Sequence, residues 1–555
     1  MKRKIISGKT VLTVLCTAIM LAGIVLSIGF RPAGDDYFFK INKSIDIFGR
    51  VYREVALNYV DVVDPERFME AGIDGMLGTL DPYTNFISER EADEVELITA
   101  GKYGGIGVTI GVRDGFITII SLIDGYSAQR QGLQPGDRIV EIDGKTLTGV
   151  KPDEIRAMTR GEPGTELHLT IQREGESKPL QFTVIREEIQ LKNLTYSAFV
   201  DSGIAYMRLE RFARGAGDDL RLAIKELQLR SPIRGMILDL RDNPGGLLDV
   251  AVDVVEKFVP KGSLVVSTKG RTPESERKYY TTEEPVLPNV PLVVLINRGS
   301  ASASEIVAGA IQDLDRGVIL GTRSFGKGLV QTITPLSYNT QLKITTAKYY
   351  TPSGRCIQEI DYAKKGSDGV FAITPDSLKK EFKTLHGRPV FEAGGITPDT
   401  SVLLPDHSGV YGDLLRKSEF FKFATRYASS HGSLPEGVDS LLDPFKKFLG
   451  DDHYVYEDAG VSKLEDLTKI AVSSKYSPAV RDEIERLKSD ITKEKASSLD
   501  RHREEVLAGI RVELMAHWKG NEGRIQSSLT DDEQANAAVD LIRHTRTFER
   551  LLRQK

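Results

Sequence analysis

Residues 292–306 read LVVLINRGSASASEI. Leu292 to Ile296 is a short unbroken apolar run, which predicts a strand buried on both faces. Asn297-Arg-Gly is turn chemistry, and a helix is expected from Ser302 to Leu314. The same grammar recurs on either side. Ile204-Ala-Tyr-Met-Arg-Leu predicts a strand and Asp218 to Leu229 a helix. Gly235-Met-Ile-Leu-Asp-Leu predicts a second buried strand, Leu247 to Phe258 a helix, and Val318-Ile-Leu-Gly a further strand. Strands and helices alternating from about residue 189 to residue 404 predict a layered α/β core.

Outward from that core the texture changes. Residues 101–188 carry short β runs between glycines, such as Phe116-Ile-Thr-Ile-Ile and Leu167-His-Leu-Thr-Ile, with one helical stretch from Pro152 to Thr159. Over residues 37–100, Ile45, Phe48, Val51, Tyr52, Val55 and Tyr59 keep a helical 3-and-4 rhythm. Beyond residue 405 the chain is charged and helical, with amphipathic stretches at Arg481 to Lys495 and Ser498 to His517. That region carries no catalytic constellation, so a surface or interaction domain is expected over 405–555. It leaves room for an adaptor or activator protein and for a homo-oligomer. A length of 555 residues requires several such domains.

Composition narrows the class. A net charge of −5 gives no basic face for nucleic acid. Two cysteines make no disulfide framework, and the histidines show no HExxH spacing, so neither a metal nor any other cofactor is expected. At the N-terminus, Lys2, Arg3, Lys4 and Lys9 precede Val11 to Phe30, which has no charged residue. A helix needs roughly 20 apolar residues to span a bilayer. Basic residues hold the near end in the cytoplasm. The expectation is a cytoplasmic N-terminus over 1–9, a signal anchor over 10–30, and a single-pass protein of the inner membrane whose catalytic part is periplasmic. A cleaved signal peptide is the alternative.

Three strand ends carry possible chemistry. At Asn297 to Glu305 a serine sits where a helix begins, and the unpaired N–H groups of a helix start can stabilise an oxyanion. Taken alone, Ser302-Ala-Ser-Glu305 is better explained as a capping box. In Gly321-Thr-Arg-Ser-Phe-Gly-Lys-Gly-Leu-Val-Gln, Lys327 lies between two glycines. A lysine serves as general base only when neutral, and desolvation can lower its reference pKa of about 10.4. Alone, it is better explained as a surface lysine in a turn. In Asp239-Leu-Arg-Asp-Asn-Pro-Gly-Gly, a glycine pair lets backbone N–H groups approach a ligand. All three lie at strand ends of one proposed sheet, where ligands of open α/β sheets bind.

Ser300-Ala-Ser-Ala-Ser-Glu followed by Phe325-Gly-Lys-Gly resembles the C-terminal processing peptidases, or tail-specific proteases, a serine–lysine family with a PDZ domain. The resemblance covers about Tyr37 to Asp399. It implies a crotonase-like layered protease core with an inserted β-rich PDZ domain. The spacing of 25 residues selects Ser302 as nucleophile and Lys327 as general base. Gln331 would orient the lysine, which on a straight strand it could not reach, so a bend is expected near Gly328. Asn243-Pro-Gly-Gly matches the oxyanion loop, which carries over the N–H groups of Gly246 and Ala303, with Gly245 as the alternative to Gly246.

Tyr103-Gly-Gly-Ile-Gly-Val-Thr-Ile resembles the carboxylate-binding loop of PDZ domains, with Gly132-Leu-Gln-Pro-Gly-Asp-Arg-Ile-Val-Glu-Ile-Asp-Gly as second signature. Ile106, Gly107 and Val108 are the expected donors to a free C-terminus. The function implied is cleavage of exported proteins near apolar C-termini. The alternatives are a catalytically inactive PDZ scaffold and a crotonase-like acyl-CoA enzyme.

Overall fold

A computed structural model describes residues 33–365, 371–404 and 406–553. It falls into two compact units, residues 1–86 and 87–555, and each is considered by itself. In the first, helix α1 (Ala33–Asn58) and helix α2 (Pro65–Leu77) form a hairpin. Tyr52 stacks on Phe68 with ring centroids 5.4 Å apart, and its hydroxyl donates to Pro65 O at 2.8 Å. Asp64 caps α2 through the N–H groups of Glu66 and Arg67, and Pro65 suits the first helical position.

The segment 10–30, expected as a transmembrane anchor, lies outside the described residues. Among the described residues no helix is long and apolar enough to cross a membrane. The single-pass placement in an inner membrane, with a periplasmic catalytic part, is therefore withdrawn.

The second unit opens with helix α3 (Ala92–Ala100) and strand β1 (Lys102–Gly105). An antiparallel β module follows: β2 (Val108–Arg113), β3 (Phe116–Leu122), β4 (Arg138–Ile142), helix α4 (Pro152–Thr159), β5 (Glu166–Gln172) and β6 (Leu180–Ile185). Its strands pair in the order β2-β3-β4-β5-β6, which leaves β2 at the edge. Ile119, Ile139, Leu169 and Ile155 fill its own core. Strand β7 (Glu187–Gln190) leaves the module paired with β1, so the chain enters and exits through one two-stranded ribbon.

The layered core contains β8 (Leu194–Asp201), β9 (Ile204–Leu209), helix α5 (Ala216–Arg230), β10 (Gly235–Asp239), helix α6 (Leu248–Val255), β11 (Leu264–Gly270), β12 (Arg277–Tyr280), β13 (Leu292–Ile296), helix α7 (Ala303–Asp313), β14 (Val318–Gly321), β15 (Leu329–Pro335), β16 (Gln341–Tyr350) and β17 (Thr400–Ser401). One sheet runs β8-β9-β10-β13-β14-β17, parallel from β9 onward. Every residue of β10 and β13 is buried, as their apolar runs require. Antiparallel strands β15, β16, β11 and β12 pair in that order beside it.

One face of the large sheet packs Met236, Leu238, Val294 and Ile296 against α5, α6 and α7. Its other face is covered from the far end of the sequence. After helices α8 (Gly409–Arg416), α9 (Glu419–Ala428), α10 (Leu442–Asp451), α11 (Ala459–Ser473) and α12 (Pro478–Ala496) come α13 (Arg503–Ser528), α14 (Glu533–Arg543) and α15 (Thr545–Arg553). Ile525, Ala535, Ala538, Ile542 and Phe548 from these last three helices pack on Tyr206, Ile237, Val293 and Leu295. Within the helical region beyond residue 405, α14 and α15 also form the second layer of the core. Helices α8 to α10 and the first half of α13 do build a separate cluster around Phe420, Phe445 and Ile510.

Candidate active site

Strand β13 delivers the chain to a strained corner. Ser302 takes φ 54° and ψ −112°, a region that residues with a Cβ rarely adopt, and α7 starts at the next residue. Such a conformation costs on the order of 1–3 kcal/mol and persists only where surrounding contacts impose it. The contacts come from both sides. Ser300 Oγ donates to Leu240 O at 2.7 Å, Ala301 N–H to Asn243 O at 3.0 Å, and Ser304 Oγ to Asn243 O at 2.9 Å. The serine corner and the Asn243-Pro-Gly-Gly loop are thus one interlocked unit.

Glycine is required in that loop. Gly245 has φ +98°, and a Cβ there would lie 2.9 Å from both Ser302 Cβ and Ala303 N. Its N–H is already used, donating to Asn243 Oδ1 at 2.9 Å. Gly246 forms a parallel bridge with Phe212, made by Phe212 N–H to Gly245 O at 3.4 Å and Leu247 N–H to Phe212 O at 2.9 Å. That pattern turns the Gly246 N–H away from Phe212. Among the described residues, neither Gly246 N–H nor Ala303 N–H has an acceptor. Of the two glycines, Gly246 is the one with a donor to offer.

Glu305 joins this corner to the lysine loop. The carboxylate is fully buried. Oε2 accepts the N–H of Ser302 and of Lys327, both at 2.9 Å. Oε1 accepts Ser324 Oγ at 2.6 Å and Gly326 N–H at 2.7 Å. Burial pushes the carboxyl up to about 7, against the four donors, which pull it down. Tyr349, also buried, makes a second bridge. Its hydroxyl donates to Lys327 O at 2.6 Å and lies 3.1 Å from Ser302 O. Burial, with Glu305 nearby, raises this phenol well above its usual range, so it stays a neutral donor. The sequence reading took Glu305 only as a helix cap and did not single out Tyr349. The S-x-x-E spacing was the one local signal for the first, and the second left none.

Ser302, Lys327, Gln331, Gly245, Gly246 and Tyr349 line one cavity of about 770 Å³, with Leu97, Ile98, Phe212, Leu247 and Leu329 as apolar wall. Gln331 donates to Thr345 Oγ1 at 3.2 Å. The pairing of β15 with β16 shifts register between Val330 and Gln331.

The β module holds the second group of residues. A small cavity of about 190 Å³ lies between Tyr103, Ile106, Val108 and Ile110 on one side and Arg156, Thr159 and Arg160 on the other. Ile123 N–H donates to Gly107 O at 2.9 Å, which makes Val108 and Leu122 a non-hydrogen-bonded pair and points Val108 N–H off the sheet edge. Among the described residues, Ile106 N–H and Gly107 N–H have no acceptor. Gly107 has φ +80°, and a Cβ there would meet Tyr126 Cβ at 2.6 Å.

Comparison with known proteins gives three family matches: peptidase family S41 over residues 203–376, the PDZ domain over 94–172, and the C-terminal helical domain of probable PDZ-proteases over 410–542. The carboxy-terminal-processing protease of Bartonella bacilliformis is 42% identical over 342 residues, covering 61% of this chain and 76% of that protein. The carboxy-terminal processing protease CtpB of Bacillus subtilis is 32% identical over 335 residues, covering 60% and 68%. Among solved structures, a photosystem II D1 C-terminal processing protease is 26% identical, with a TM-score of 0.35, covering 63% of this chain and 85% of that one.

Proposed function

Because the chain belongs to the carboxy-terminal processing proteases of peptidase family S41, and so is a serine-type peptidase, we propose that it is an endopeptidase that cleaves protein substrates near their free C-termini, with Ser302 as nucleophile and Lys327 as general base. The observation that carries this reading is the shared carboxylate oxygen: Glu305 Oε2 accepts the N–H of both residues at 2.9 Å, at the wall of one cavity.

The chemistry follows from the positions. The neutral Lys327 amine takes the proton of the Ser302 hydroxyl as Oγ attacks the scissile carbonyl. The carbonyl oxygen becomes an anion, which the N–H groups of Gly246 and Ala303 receive. Lys327 returns the proton to the leaving amine, and the acyl-enzyme is hydrolysed by water with the same lysine as base. Gln331 orients the lysine. The substrate tail adds as a strand to the edge of β2, where the N–H groups of Ile106, Gly107 and Val108 receive its carboxylate.

The test is cleavage of an unstructured protein with an apolar C-terminus by wild type, Ser302→Ala and Lys327→Ala. Cleavage by wild type alone is the expected result. Cleavage that survives either substitution sinks the dyad, and a chain that binds the tail without cutting it favours the inactive scaffold.

A further inference from the structure

The Arg241 guanidinium, two residues after the last residue of β10 and four before Gly245, has all five of its N–H donors engaged. Nε donates to Asp239 Oδ1 at 3.0 Å, and Nη2 to Asp239 Oδ2 at 2.7 Å. The other three donors reach across to the N-terminus of α14. Nη2 donates to Asp532 Oδ2 at 2.6 Å, and Nη1 to Asp532 Oδ1 and Gln534 Oε1, both at 3.0 Å. Arg241, Asp239 and Gln534 are buried, and Asp532 is nearly so, with 14% of its side chain exposed. Asp532 also caps α14 through Ala535 N–H at 3.0 Å, and Gln534 is fixed by its bond to Val402 O at 2.7 Å.

Two braces therefore grip the segment Asp239 to Gly246. Asn243 ties its far side to the serine corner, and Arg241 ties its near side to a helix 291 residues away in sequence. We propose that Asp532 and Gln534 are positioning residues for catalysis, holding the oxyanion loop through Arg241 so that Gly246 N–H faces the reacting carbonyl. The inference rests on the reading of Ser302, Gly246 and Ala303 as the catalytic corner. Loss of the Asp532 charge leaves Arg241 paired with Asp239 but removes the charged partner that ties it to α14, so the grip across to the helix weakens. The loop moves with it, and small displacements at a reacting centre cost rate out of proportion to their size.

The test uses the full chain. Asp532→Asn keeps the side-chain shape and the helix cap but removes the charge. The expected result is a kcat lower by roughly 10- to 100-fold with KM little changed. The rate of covalent labelling by a fluorophosphonate, which also needs the oxyanion donors, should fall in parallel, and Asp532→Glu should recover part of both. A folded Asp532→Asn variant with wild-type kcat and labelling overturns the proposal. If that variant does not fold, Gln534→Met decides: it removes one acceptor and should slow labelling several-fold, and a wild-type rate overturns the proposal equally. Ser302→Ala separates the two readings. An inactive Ser302→Ala beside a fully active Asp532→Asn removes only this inference, whereas an active Ser302→Ala removes the site itself.

Discussion

Oε2 of Glu305 accepts the backbone N–H of Lys327 at 2.9 Å while belonging to the helix that Ser302 begins. All four donors around this carboxylate suit its ionised form, yet burial raises its value from 4.5 to about 7. As pH falls through about 7, the carboxyl takes up a proton and the clamp between the two loops weakens. Activity should therefore fall on the acid side. Stability should move the other way. A folded value above the unfolded one gives a contribution that is full below pH 4.5 and lost as pH rises through about 7. Profiles of kcat/KM and of Tm against pH check both, and Glu305→Gln should alter both. A variant whose two profiles match wild type would remove this role for Glu305.

Ser302→Ala and Lys327→Ala should each lower kcat by about 10³-fold or more while leaving the melting curve intact, because neither side chain fills the core. Lys327→Arg should be as inactive as the alanine variant, since a guanidinium does not deprotonate in a protein. Measurable turnover by Lys327→Arg would point to another base.

Gly245→Ala should cost more activity than stability. The new Cβ would stand 2.6 Å from Ala301 O and 2.9 Å from Ser302 Cβ. At φ +98° the substitution is strained even without those contacts. A drop of about 10²-fold in kcat with a folded core is expected. Circular dichroism alongside the rate measurement checks it.

Amidating the C-terminus of a substrate should raise KM by about 10- to 100-fold, the worth of a charged hydrogen-bond set. Gly107→Ala should do the same for the free tail, since its Cβ would collide with Tyr126. If amidated and free tails are cut with equal KM, the carboxylate is not read at Ile106 to Val108.

Ile542→Ala should destabilise the protease core by about 2–5 kcal/mol. Its side chain lies against Gly235, where an added Cβ would be 2.3 Å from Ile542 Cγ2, and it is 6% exposed. Denaturant unfolding measures the loss. Catalysis lost together with stability is the expected pattern, and an undisturbed midpoint would show that α14 is not structural.

The parts legible in the sequence were those with a local signature. The apolar run at Leu292 to Ile296 announced a strand buried on both faces, and helix α4 spans the stretch Pro152 to Thr159. Ser302, Lys327 and Gln331 came from the resemblance to a family and its motifs, and one cavity is lined by all three. What stayed hidden was long-range pairing. Tyr349 reads as one more strand residue, and nothing near Arg241 points to Asp532. The same limit explains the C-terminal helices. An amphipathic pattern shows that a face will be covered but not by what, so α14 resembles a surface helix until β10 and β13 are seen beneath it. The helix expected to end at His517 does break close by, at Gly520. A second helical stretch follows to Ser528, and the two halves pack on different clusters, Ile510 and Leu514 on one and Ile525 on the other.

The covering of the large sheet by α14 and α15 carries a consequence for biosynthesis. Strands β9, β10 and β13 leave the ribosome with one face bare, and their cover is translated much later. The second layer of the core is thus the last part of the chain to be made. We predict that a nascent chain stopped before Asp532 holds Ser302 and Lys327 but cuts nothing, which ribosome-stalled chains of graded length would reveal by the length at which cleavage first appears.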